Sequence, residues 1–153
     1  MNMNIIKIKW SGPFSLNEIE NSKESIPSKG IYQYIGIHPI TGPETLLYIG
    51  ISSVNLGKRI FDHANKAWFW DFPDYKVYLG EVKNSTEENI NNAETLLVYR
   101  LSPPYNSQKI NKNYDTKETI VLNYGTKHRL PFEVTNLPEM VNINGRDKKF
   151  EIA

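Results

Sequence analysis

Between Gly30 and Ile51 the chain twice becomes rich in β-branched and aromatic residues, and this pair of runs limits the fold more than any other feature. Ile31, Tyr32, Tyr34, Ile35 and Ile37 make the first run, and Leu46 to Ile51 the second. Such residues suit a pleated, half-buried surface. Between them lie Pro39-Ile40-Thr41-Gly42-Pro43, all but two of them turn formers, so an antiparallel hairpin with a somewhat extended loop is predicted. Alternation puts Tyr32 and Tyr34 on one face and Ile31, Gln33 and Ile35 on the other. The first run opens as Gly30-Ile31-Tyr32 and the second closes as Tyr48-Ile49-Gly50. A strand tyrosine ordinarily packs against its cross-strand neighbour. Two of them on adjacent strands, each beside a glycine, carry a second reading. Glycine removes bulk next to the ring, so a phosphate or another backbone can come close.

Past Gly50, Ser53 or Asn55 is the expected N-cap of a helix from about Leu56 to Lys66. Arg59, His63 and Lys66 share one side of it, and Ile60, Ala64 and Ala67 the other. A cationic stripe of this kind is either a solvated face or an anion site. Arg59 lies in the first turns, where unpaired backbone N–H groups and the helix dipole already favour an anion. Trp68-Phe69-Trp70 and Phe72 either pack the end of this helix onto the sheet or stack on bases. Tyr75 to Val82 reads as a third strand.

Ser85 with Glu88 has capping-box spacing, and the helix it opens is expected to run to about Leu101, where Pro103-Pro104 forbids continuation. Its apolar stripe is Ile90, Ala93, Leu97 and Leu101, with Glu94 inside or beside it. A carboxylate there is costly unless it is paired, for example with Arg59, or bound to a cation. Asn106 follows the double proline in a rigid turn that can aim it back at the sheet.

The flanks carry less. Ile5 to Trp10 alternates apolar and basic residues, a strand period, and Ser11-Gly12-Pro13 is expected to break it. Ser15 and Glu18 form a capping-box pattern for a short helix over Leu16 to Asn21. Beyond Asn106, Lys109 to Lys117 reads as a polar linker; Thr119 to Leu122, Leu130 to Val134, Val141 to Ile143 and Phe150 to Ile152 are short β-like runs. Lys127-His128-Arg129 is a basic tip, either a solvated turn or a place where a nucleic-acid backbone could rest. With 153 residues, 39% hydrophobic and 23% charged, the chain has the make-up of one ordinary domain with a real core. The absence of cysteine excludes disulfides, thiolate metal sites and a cysteine nucleophile. A net charge of +1 argues against a passive coat for nucleic acid but permits a locally basic cleft. No long apolar run stands at the start, so a cytoplasmic protein without membrane attachment is expected.

Gly30-Ile31-Tyr32, Tyr48-Ile49-Gly50, the helix start Leu56-Gly57-Lys58-Arg59 with His63, Ala93-Glu94-Thr95-Leu96-Leu97 and Pro104-Tyr105-Asn106 together resemble the GIY-YIG nuclease domain, in order. The resemblance covers Gly30 to Asn106, about half of the chain. Tyr34-Ile35-Gly36 is a decoy copy of the second tripeptide, and the gap between the two tripeptides is longer than the family's usual one. Arg59 with His63, and Asn106 after Glu94, resemble the restriction-enzyme branch. The resemblance implies a small α/β (α+β) fold, a three-stranded antiparallel sheet flanked by helices, over 30–106, with an N-terminal extension at 1–29 and a β-rich accessory tail at 107–153. It further implies a metal-dependent DNA endonuclease. Tyr32, Tyr48, Arg59, His63, Glu94 and Asn106 would be the catalytic set, Glu94 the ligand of Mg²⁺ (with Mn²⁺ able to substitute), and Lys58, Lys66 and Gly50 would touch nucleic acid. A noncatalytic nucleic-acid-binding or interaction module and an RNA-directed nuclease are the alternatives. Double-strand cleavage would need a homodimer or a partner subunit.

Overall fold

The computed structural model describes residues 3–22, 25–64, 75–84, 86–106 and 118–136, with side chains left out for 61–64. Among the described residues nine elements follow in order: β1 (Asn4–Phe14), α1 (Leu16–Asn21), β2 (Gly30–His38), β3 (Gly42–Ser52), α2 (Leu56–Ala64), β4 (Lys76–Val82), α3 (Glu87–Leu101), β5 (Thr119–Gly125) and β6 (Glu133–Thr135).

The predicted hairpin is present: β2 and β3 pair antiparallel, with Tyr32 opposite Gly50 and Tyr34 opposite Tyr48. A bulge at Leu47 puts that residue and Tyr48 both on the tyrosine side. The predicted third strand is β4, paired with β2. The expectation of a three-stranded sheet is nevertheless wrong. The strands form one six-stranded mixed sheet in the order β3-β2-β4-β1-β5-β6. The free edge of β4, a row of unpaired N–H and C=O groups, is taken by β1 running antiparallel. Next, β5 runs parallel to β1, and β6 closes antiparallel on β5. Segments read as extensions on either flank thus supply three of the six strands. Ser11-Gly12-Pro13 does not end β1; the strand passes through an irregularity there, with a cis Gly12-Pro13 bond, and ends at Phe14.

Local signals at helix starts fared better. Ser15 and Glu18 form the full capping box of α1. Asn55 is the cap of α2, its Oδ1 accepting from Lys58 N at 3.0 Å. The start of α3 lies one residue past the expected Ser85: Thr86 is the N-cap and its Oγ1 accepts from Asn89 N at 3.1 Å. The two hydroxyl residues are adjacent, and the capping-box spacing favoured the wrong one.

Two buried layers flank the sheet. On one face Ile6, Ile8, Trp10, Ile31, Ile35 and Ile49 pack under Ile90, Ala93, Leu96 and Leu97 of α3. On the other, Tyr32, Tyr34, Leu47, Val77 and Leu79 pack under Ile19 of α1 and Leu56 and Ile60 of α2. Among the described residues no helix is long and apolar enough to cross a membrane.

Candidate active site

The site is built on the second of these faces, where the hairpin sets its tyrosines side by side. The ring centroids of Tyr32 and Tyr48 are 6.3 Å apart, and Tyr34 stands edge-on to Tyr32 at 5.2 Å. The three rings do different work. Tyr34 Oη donates to the carbonyl of Ile60 at 2.9 Å, fastening α2 to the sheet. That bond makes the decoy tripeptide's tyrosine a structural one. Tyr32 is fully buried, and its ring and hydroxyl occupy the space above Gly50, where a Cβ would land on them. The glycine of the second tripeptide is therefore required by the tyrosine of the first. Tyr48 is half-buried at the edge of the cluster.

Three charged or polar groups complete the arrangement. Arg59, in the first turns of α2 and exposed to solvent, hydrogen-bonds Tyr32. Glu94 is half-buried on α3, beside the stripe of Ile90, Ala93 and Leu97. Its carboxylate is near enough to both Tyr32 and Tyr48 for its charge to disfavour either phenolate. Burial, first, pushes the Tyr32 phenol well above its ordinary range; Tyr48 and Glu94 add to the rise, and Arg59 opposes it. Tyr48 is also raised, by burial first and then Glu94, again against Arg59. Burial likewise raises Tyr34.

Asn106 reaches the sheet by a different route. Its Oδ1 accepts from Ile49 N and its Nδ2 donates to Ile49 O, both at 2.9 Å. With Tyr105 N donating to Leu47 O at 3.1 Å, the turn after α3 covers the open edge of β3 much as another strand would. Asn106 thus positions the hairpin beneath the tyrosines, and those hydrogen bonds go to backbone instead of to a ring hydroxyl.

Tyr32, Tyr48, Arg59 and Glu94 are brought together, and Gly50 lies beneath them. Lys58 is exposed on α2 next to Arg59. His63 is on α2 four residues past Arg59, but its side chain lies outside the described residues, as do Lys66, the Trp68 to Phe72 group, Lys109 to Lys117, Val141 to Ile143 and Phe150 to Ile152. The basic tip folds elsewhere: Lys127 Nζ donates to Leu130 O at 2.8 Å, and His128 Nε2 lies 3.6 Å from Glu44 Oε1.

Among the described residues no three His, Asp or Glu cluster in a way that could hold a metal ion. Among the described residues the donor set at the tyrosines is a single carboxylate, Glu94. That suits a hard cation such as Mg²⁺, which keeps most of its waters and takes further oxygens from a substrate phosphate. It does not suit an ion that needs several protein ligands.

No family model, curated protein or solved structure matches the chain.

Proposed function

We propose that the chain is a metal-dependent endonuclease of the GIY-YIG type that hydrolyses phosphodiester bonds in DNA. The observation that carries this is that two tyrosines of the sheet, the guanidinium of Arg59 on α2 and the carboxylate of Glu94 on α3 lie near enough for their charges to bear on one another. Hydrolysis needs an oriented water, neutral surroundings for the phosphoryl oxygens and relief for the departing 3′ oxygen. Arg59, exposed near the start of α2, is suited to take nonbridging oxygens in its planar fork. Glu94 is the residue that would hold Mg²⁺, which when bound polarises the phosphate and stabilises the leaving oxygen.

Burial keeps Tyr32 in its neutral form, so its role here is to orient the attacking water by hydrogen bonding and not to remove its proton. The proton passes to another group, and His63, one turn along α2 from Arg59, is our candidate. Tyr48 supports the Tyr32 hydroxyl from the next strand, and Asn106 holds the edge of β3 that carries it. A chain without cysteine suits the reducing cytoplasm, the compartment we assign it.

Purified protein incubated with supercoiled plasmid and with RNA, each with Mg²⁺ or with EDTA, tests the proposal. Nicking of plasmid only with metal is expected. Glu94→Ala should lower it by about three orders of magnitude without shifting the melting temperature. Full activity of Glu94→Ala with Mg²⁺ present would contradict the metal role. Binding without cutting would instead select a noncatalytic module, and cutting of RNA alone an RNA-directed enzyme.

A further inference from the structure

The tyrosine face does not end at the tyrosines. Across β4 and β1 it continues into a surface that α1 and α2 leave open, because on β1 the residues Ile5, Lys7 and Lys9 alternate with buried Ile6, Ile8 and Trp10. Lys7 and Lys9 are exposed, and so is Lys83 just past β4. In the antiparallel register Ile8 faces Val82, so Lys7 faces Lys83, and Lys83 N donates to Lys7 O at 3.0 Å. Like charges directly opposite each other on neighbouring strands destabilise a sheet unless a counter-charge lies between them. One carboxylate, Glu81, stands opposite Lys9, which leaves the row positive.

The row leads toward the candidate site. Lys9, Ser11 and Glu81 line a hollow of about 430 Å³ together with Leu79, the partner of Tyr32 in β4, and Leu56, which opens the helix that carries Arg59. The α3 face has the opposite sign near the start of that helix, where a hollow of about 350 Å³ is lined by Glu87 and Glu88. From β1 to β2 is two strand spacings, about 10 Å, or roughly three phosphates at the axial spacing of one duplex strand.

We infer that Lys7, Lys9 and Lys83 form a track that holds the phosphate backbone of the DNA flanking the bond to be cut, on the β1 side of the tyrosines. The occupant rests on the nuclease proposal; the track itself is tested by binding. Fluorescently labelled DNA, in EDTA, is titrated with the Glu94→Ala protein at several salt concentrations, with and without the added changes Lys7→Ala, Lys9→Ala and Lys83→Ala. The triple change should weaken binding tenfold or more. It should also make the slope of log affinity against log salt shallower by about 2 to 3, since each phosphate left without its lysine removes about 0.7 to 0.9 from that slope. A companion carrying arginine at the three positions should bind like its parent, which separates missing charge from faulty folding. Unchanged affinity and slope in the alanine form, or an arginine form that binds as weakly as the alanine one, overturns the track. If that happens while plasmid is still nicked with Mg²⁺, the track alone has failed. Lysine-dependent binding by a protein that cuts nothing sinks the nuclease proposal and keeps the track.

Discussion

The two faces of this sheet are built from alternate residues of the same strands and have opposite characters. Under α3 the sheet presents aliphatic side chains and Trp10, whose Nε1 donates to Asn123 Oδ1 at 2.9 Å, so even the buried polar groups there are mostly paired within the fold. The other face presents phenols, an exposed guanidinium and lysines, and the half-buried carboxylate of Glu94, carried on α3, is near enough to Tyr32 and Tyr48 for its charge to bear on both. Both layers are fully buried at their centres, so the difference lies in chemistry. The α3 layer is almost wholly apolar, whereas the tyrosine layer ends in polar groups at its rim, the half-buried Tyr48 and the exposed Arg59, which can be changed with little structural cost.

The sharpest way to break that contrast lies within the tyrosine face, between neighbours that differ in what their hydroxyls touch. Tyr32→Phe should lower plasmid nicking by about 10²- to 10⁴-fold, the range of a positioned catalytic group. Tyr34→Phe removes the bond to Ile60 O, should cost about 0.5–1.5 kcal/mol in urea denaturation, and should leave nicking within a few-fold of the parent. Reversed results would exchange the roles of the two rings. Across the sheet, Leu97→Ala empties a fully buried position and should cost about 2–5 kcal/mol by the same measurement, with nicking by the folded fraction unchanged.

A smaller effect should appear in alkali. Burial holds the phenols of Tyr32, Tyr34 and Tyr48 above the value near 10 that they have in the unfolded chain. Their contribution to stability is therefore fully present below about pH 10 and is lost as pH rises toward their folded-state values. Tyrosinate absorbance should show these rings ionising only as the protein unfolds. Ionisation of Tyr32, Tyr34 and Tyr48 near pH 10 with the fold intact would mean that these rings are not buried.

What the sequence disclosed divides along the same physical line as what it concealed. The hairpin, the α1 capping box and the Asn55 cap are local, decided by residues within a few positions of one another, and all were legible. The pairing of β1 with β4 and β5 is not local. A period of two marks a strand but names no partner, and Ile5 pairs with Ile120 across most of the chain. The candidate site residues were legible through the tripeptides and through the anomaly of Glu94 beside an apolar stripe. That Asn106 ties down backbone, and that the space over Gly50 belongs to Tyr32, depend on the bulge and the turn geometry. The alternation of Lys7 and Lys9 was visible too, but Lys83 joins them only through the register of β1 with β4.

A double-mutant cycle on plasmid nicking, with Arg59→Ala, Glu94→Ala and the pair combined, tests convergence on one site most directly. Groups that act as a unit are not additive. The double variant should therefore be no slower than the slower single one, each single variant being about 10²- to 10³-fold or more below the parent. Losses that multiply, or either single variant cutting like the parent, would mean that Arg59 and Glu94 do not serve one reaction.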